Sequence, residues 1–357
     1  MVETEEFIGW RRFPLTREDQ QGRRWLEIQA LLGLAPNTLE AYGRGLEQFL
    51  GWCLDKHVVP AAATRADIAD YIGYLRDRPG PRGPSVISID SGSGLSNATL
   101  QQRLTAIRLF FDYLIEEGVR TTNPVGRGRY TPNKLFAGKG ERGLVRRYSR
   151  LPWIPSEAEW SRFMACAQAE PIRNRCMLAF AYDAALRREE LCGIEIADID
   201  PAHRLVRIRA ETSKSNRDRV TPYSEATGQI LVAYLRHRRQ ISRERGRLFL
   251  SESPRNYGKP VSRWTWSKLV RRIANGARLP NFSTHTLRHL CLTDLARAGW
   301  DVHEIANLAG HRNLSTTQQY IHLSGRDLAA KLAVGMDQIH AWRCRHLGIN
   351  HPTEHDE

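Results

Sequence analysis

Residues 283–323 read STHTLRHLCLTDLARAGWDVHEIANLAGHRNLSTTQQYIHL. The apolar spacing predicts three consecutive helices, His285–Ala298, Asp301–Leu308 and Leu314–Ile321. His285 and Arg288 stand three apart, on one face at the start of the first helix, after Asn281-Phe282-Ser283-Thr284. An imidazole, a guanidinium and the free N–H groups of a helix end are then aimed at one point, which suits a single phosphate. Gly310-His311 follows the second helix, and Tyr320 comes nine residues after His311. A lone His-x-x-Arg pair would pass for surface ion-pair partners, so the weight lies in the order of the elements.

Cleaving a phosphodiester without a metal sets a definite demand. Phosphorus passes through a five-coordinate, more negative state, and preplaced cations and donors must surround its non-bridging oxygens. Arginine serves best, because its planar fork matches two phosphate oxygens. A nucleophile and an acid for the departing 5′ oxygen complete the set. A tyrosine hydroxyl, ordinarily titrating near pH ~10, is expected to become competent where positive neighbours favour the phenolate.

Upstream of this stretch the chain is again largely helical. Asn37-Thr38-Leu39-Glu40 reads as a capping box, followed by Leu39, Tyr42, Leu46, Phe49, Leu50 and Cys53 at helical spacing. Further helices fit Thr64–Arg76 and Asn97–Glu117, with Gly118 placed to end the latter. Residues 79–96 are rich in Gly, Pro and Ser and read as a loop. Between Gly126 and Arg150 lie Arg127, Arg129, Lys134, Lys139, Arg142, Arg146, Arg147 and Arg150 with the single acid Glu141, a basic linker able to follow a phosphate backbone. Ser156-Glu157-Ala158-Glu159 opens a second domain with a capping box. Within it, His203–Ala210 and Arg219–Tyr223 suggest a β-hairpin with its tip at residues 212–218, and helices fit Ser224–Gln240 and Ser262–Asn275.

Composition narrows the partners. A chain of 357 residues exceeds one ordinary core, and its net charge of +14 suits a polyanion. No apolar run could span a bilayer, and the start of the chain, Met1-Val2-Glu3-Thr4-Glu5-Glu6, is acidic where a secretion signal is basic, so a cytoplasmic, DNA-associated location is expected. The scattered cysteines Cys53, Cys166, Cys176, Cys192, Cys291 and Cys344 read as reduced thiols. His340, His346, His351 and His355 lack ligand spacing, and no metal is assigned to them.

In their order, these motifs resemble the C-terminal signature of the tyrosine recombinases of the phage integrase family. The resemblance calls for an upstream arginine closing an apolar helix, and residues 177–191 supply it. There Arg187 is similar to the family's phosphate clamp and Glu190 to its buttress, although Ala185 stands where a glycine commonly precedes the Leu-Arg pair. Arg188 is then expected to face away from the site. Lys214, in the hairpin, matches the family's mobile lysine, which protonates the 5′-hydroxyl leaving group; Arg217 and Arg219 are nearby alternatives.

The implied fold is mainly α: a helical core-binding (SAM-like) domain and a mixed, mostly α catalytic domain with a small β-hairpin or sheet. The expected boundaries are an N-terminal extension at 1–36, the core-binding DNA domain at 37–125, the basic linker at 126–150, the catalytic domain at 151–340 and a polar tail at 341–357. The implied activity is site-specific strand exchange through a 3′-phosphotyrosyl intermediate, without ATP, metal or other cofactor. Tyr320 is the implied nucleophile, with Arg187, Lys214, His285, Arg288 and His311 around the phosphate. Double-stranded DNA and a tetramer of protomers are the implied partners, with accessory recombination proteins possible, and Arg326–Trp342 is a candidate docking helix. A topoisomerase-like nicking and resealing enzyme and a catalytically silent DNA-binding protein remain the alternatives.

Overall fold

The computed structural model describes residues 8–77, 95–126, 144–145, 151–213 and 216–323, the last three by backbone only. The chain divides into two compact units, Met1–Arg150 and Leu151–Glu357.

The first unit is built from α1 (Pro14–Glu18), α2 (Gln20–Leu31), α3 (Pro36–Asp55), α4 (Arg65–Asp77) and α5 (Asn97–Glu116). The apolar stripe of α3 packs on α5, with Phe49 edge-on to Phe111 at 5.9 Å and to Tyr71 of α4 at 5.3 Å. Residues 8–36, expected as an N-terminal extension, pack into this core. Phe13, Trp25 and Leu26 are fully buried, and Trp25 stacks on Tyr42 at 5.9 Å and meets Phe110 edge-on at 5.8 Å. Glu47 of α3 accepts from the Leu15 and Thr16 backbone N–H groups at 2.9 and 2.8 Å, which satisfies free donors at the start of α1 and ties it down. Too short a periodic run hid these helices from the apolar pattern. The start of α3 also differs from expectation. Ala35 is its N-cap and Pro36 its first residue, so Asn37 does not cap it, and Glu40 pairs with Arg12 and Arg44. Gly118, at φ 72°, ends α5 as expected.

In the second unit Ser156 and Glu159 close the expected capping box of α6 (Glu157–Gln168). There follow α7 (Ile172–Asp183), α8 (Arg188–Gly193), strands β1 (Ile199–Asp200), β2 (Leu205–Ile208) and β3 (Arg219–Pro222), then α9 (Glu225–Ile241) and α10 (Arg263–Gly276). The unit continues with α11 (Thr284–Arg297), α12 (Val302–Ala309) and α13 (Ser315–Leu323). The strands form one antiparallel sheet in the order β1-β2-β3, with Val206 opposite Thr221 and Ile208 opposite Arg219. Alternation puts Val206 and Ile208 into the core and Arg207 outside, and the same two-residue period turns Arg219 inward. The main core is rich in stacked rings, with Phe163 on Phe282 at 4.1 Å. A smaller cluster joins Ala185, Cys291, Leu292, Ile305, Leu308, Ala309 and Tyr320, and so fastens α12 and α13 onto α11.

Cys53, Cys166, Cys176, Cys192 and Cys291 are free thiols. No described helix is long and apolar enough to cross a membrane. Lys214, the basic residues Arg127, Arg129, Lys134, Lys139, Arg142, Arg146 and Arg147, the C-terminal histidines and the segment Arg326–Trp342 lie outside the described residues.

Candidate active site

Arg187 stands between α7 and α8, where Ala185 adopts φ 47° to turn the chain. This left-handed geometry explains why a glycine is at home there. Strain of about 1–2 kcal/mol for an L-residue is offset by alanine's smaller loss of backbone freedom and its buried methyl, each worth about 1 kcal/mol, so either residue is tolerated. The Glu190 carboxylate receives the Arg187 backbone N–H at 2.9 Å and its Nη1 at 2.8 Å. From β3, Arg219 reaches the same carboxylate with both terminal nitrogens, at 3.0 and 2.7 Å. The Glu190 side chain is 0% exposed. Burial would raise its carboxyl, but the Arg219 hydrogen bond and charge, seconded by Arg187, outweigh that and hold it at about 2.

Arg219, a nearby alternative to Lys214 in the sequence, turns towards Glu190 and the end of α12. Its Nε donates to the Leu308 carbonyl at 3.2 Å, and a Cβ on Gly310 would lie 3.0 Å from its Cδ. Gly310 is also the left-handed C-cap of α12, at φ 62°, so both backbone and space require glycine there. Arg187 Nη2 approaches the Gly310 carbonyl at 3.5 Å. The Gly310 turn is thus held between two arginines just before His311. Arg188 pairs instead with Glu189 and reaches Ser267 of α10.

Arg288, on α11, is 3% exposed and donates to the carbonyls of Ala185 and Ala309. Its Nη2 lies 2.9 Å from His311 Nε2. Burial, then the Arg187 charge, lowers its pKa to about 9, so it remains cationic at neutral pH. Burial and the surrounding arginines bring His311 down to about 3, which makes it neutral, with Nε2 accepting from Arg288 and Nδ1–H donating to Thr317 Oγ1 at 2.8 Å. His285, one face-turn from Arg288, is exposed; burial of part of its ring and the Arg288 charge lower its pKa.

Tyr320 is 1% exposed and lies flat beside His311, ring centroids 6.1 Å apart and planes 5° from parallel. Its hydroxyl meets Nδ1 of His289 at 2.8 Å. His289 was not singled out from the sequence, although its i, i+4 spacing from His285 puts the two on one helix face and was legible. Positive neighbours favour the phenolate as expected, but they do not set the net shift in this state. Burial raises the Tyr320 pKa and outweighs the lowering by Arg288 and Arg187. The fold therefore gathers Arg187, Glu190, His285, Arg288, His311 and Tyr320, with Arg219 and His289 added. Among the described residues, three guanidiniums face one carboxylate, an excess of two positive charges that suits an anionic ligand.

With this geometry in view, comparison with known proteins is informative. The model of the phage integrase family matches residues 156–326, and that of its N-terminal SAM-like domain matches residues 25–118. Tyrosine recombinase XerD of Halalkalibacterium halodurans is 25% identical over 303 residues, covering 82% of this chain and 89% of that protein. Tyrosine recombinase XerC of Herpetosiphon aurantiacus is 28% identical over 308 residues, covering 84% and 88%. Among solved structures, the Tn1549 transposon integrase in complex with transposon right end DNA superposes with a TM-score of 0.63 at 15% identity, covering 87% of this chain and 98% of that one. The XerH recombinase bound to a palindromic difH substrate gives 0.62 at 18% identity, covering 84% and 80%. Both domains match in family order along most of the chain: it belongs to the phage integrase family, the tyrosine recombinases.

Proposed function

We propose that this chain is a site-specific DNA recombinase in which Tyr320 attacks a scissile phosphate bound by Arg187, Arg288, His285 and His311. The observation that carries this reading is the excess of two positive charges, among the described residues, beside a buried tyrosine hydroxyl. Its family cleaves and rejoins DNA, and the relatives are recombinases, which disfavours the topoisomerase-like and silent alternatives. Tyr320 Oη forms a bond to phosphorus as the bond to the 5′ oxygen breaks, leaving a 3′-phosphotyrosyl ester and a free 5′-hydroxyl. A 5′-hydroxyl from a second duplex reverses the step, with the bond energy conserved in the ester. Four protomers on two DNA sites are the arrangement this exchange requires. The basic residues Arg127 to Arg147 would follow the phosphate backbone. Mapping where the chain becomes covalently joined to DNA flanking its own gene, followed by exchange between two copies of that site, tests the function. Relaxation or nicking without exchange would overturn it.

In this reading Lys214 supplies the leaving-group proton. Lys214→Ala is expected to slow adduct formation on the order of 10²-fold. A substrate with sulfur at the 5′ bridging position, whose thiolate leaves without a proton, should restore the rate; a single-turnover comparison of the two substrates checks this. Thr317, fully buried, fixes the ring of His311. Thr317→Val keeps the shape and strands the Nδ1–H, a cost of about 1–3 kcal/mol. Cleavage should fall on the order of tenfold or more, with DNA affinity unchanged in a gel-shift titration.

A further inference from the structure

Within that assignment of Tyr320, the nucleophile's proton has to go somewhere. His311 spends Nδ1–H on Thr317 and Nε2 on Arg288. Arg187 and Arg288 are donors only. The hydrogen bond at the Tyr320 hydroxyl runs to Nδ1 of His289. We propose that His289 is the general base of the cleavage step, taking the Tyr320 proton on Nδ1 as the Oη–phosphorus bond forms, and that it returns that proton to Tyr320 when the DNA is rejoined.

The geometry supplies both requirements of a base, reach and an open acceptor. At 2.8 Å the pair is within direct proton-transfer distance. Burial, then His285 and Arg288, bring His289 down to about 4, so at neutral pH the imidazole is uncharged and Nδ1 accepts the phenolic proton. Among the described residues, the ionisable groups facing it are His285 and Arg288 on α11 itself, Tyr320 on α13 and His311 after α12. On the α7 side, Tyr182 is bound to Asp294 at 2.7 Å. None of the neighbours that act on its titration is an anion in the free protein. A DNA phosphate brings one, and so raises the basicity of His289 as the substrate arrives.

Helix geometry also puts the base beside the substrate. His285 and His289 are successive turns of α11, about 6 Å along the axis, with ring centroids 6.3 Å apart. One helix face therefore carries both the ring assigned to the phosphate and the ring that holds the phenol. The α11 backbone is braced at this turn by Thr293, whose hydroxyl donates to the His289 carbonyl at 2.8 Å. Charge is conserved in the step: His289 becomes an imidazolium, and the 5′ oxygen takes its own proton from Lys214.

The test compares wild type with His289→Asn and His289→Ala in single-turnover adduct formation on a duplex nicked beside the crossover site, from about pH 5.5 to pH 9. Asn places an amide oxygen near the position of Nδ1, keeping an acceptor for the hydroxyl but no base. Near neutral pH His289→Asn should lose on the order of 10²-fold or more in rate, at unchanged DNA affinity. That deficit should shrink as pH rises and solvent takes over the proton. Bridging sulfur in the substrate, which rescues Lys214→Ala, should leave it uncorrected. Wild-type rate and pH profile in the Asn variant would overturn the proposal and leave His289 a positioning residue. So would rescue by bridging sulfur, which would move its role to the leaving group, or faster cleavage by His289→Ala, which would make it a latch on the nucleophile. An adduct formed by Tyr320→Phe would instead refute the assignment of Tyr320 itself.

Discussion

Replacing Tyr320 by phenylalanine is expected to reduce covalent protein–DNA adduct below detection while DNA affinity stays within about twofold of wild type. The change removes one oxygen from a side chain that is 1% exposed. The ring keeps its place against His311 and within the small cluster of Ala185, Cys291, Leu292, Ile305 and Leu308, so folding loses little more than the hydrogen bond to His289. One such bond is worth about 1 kcal/mol net, too little to unfold the unit. In the proposed mechanism, by contrast, the chemistry loses its nucleophile outright. The neighbouring phenol offers no substitute: Tyr182 donates to Asp294, and burial followed by that carboxylate pushes its pKa up. Denaturant-resistant attachment to a nicked duplex, read beside a gel-shift titration, is the measurement. Residual adduct would mean that the nucleophile lies elsewhere.

Glu190→Gln should have the largest effect on folding. Among the described residues Glu190 is the one carboxylate facing three guanidiniums, and its loss leaves the largely buried Arg187 and Arg219 without a counter-charge next to Arg288. Breaking a buried pair in this way costs about 3–5 kcal/mol. For a unit of this size the midpoint of thermal unfolding should fall by about 10 °C. Cleavage should fall with it, because the same carboxylate holds Arg187 and, through Arg219, the Gly310 turn that precedes His311.

The pH dependence follows in sign. The folded-state pKa of Glu190 is depressed to about 2, below the ordinary carboxylate value. Its contribution is therefore complete above that ordinary value and is lost as pH falls towards 2. The stability gap between wild type and Glu190→Gln should thus narrow by about 2 kcal/mol between pH 5 and pH 3 in denaturant titrations. A gap that stays constant with pH would show that shape rather than charge is what the variant lost.

Much of the architecture was readable from local pattern. The helices α3 to α5 and α9 to α13 announce themselves by apolar spacing, because each buries one face against a neighbour. The Ser156 box and the glycine stop at 118 are local backbone chemistry, and they fall where expected. By contrast, α1 and α2 were missed. Their burial depends on Glu47 and on Tyr42 and Phe110, partners remote in sequence.

The sequence by itself determined which polar groups this protein owns and in what order, enough to name Arg187, His285, Arg288, His311 and Tyr320 and to imply their chemistry. Tertiary structure alone decided who touches whom. It gave Glu190 to Arg219 as well as Arg187, turned Arg219 from the hairpin towards the Gly310 turn, and set His289 rather than His285 or His311 on the phenol. It also decided the net shift at Tyr320, where burial outweighs the nearby positive charge. The physical reason is that composition and spacing record charge and local geometry, whereas desolvation and hydrogen-bond partnership arise only when elements far apart in the chain pack together.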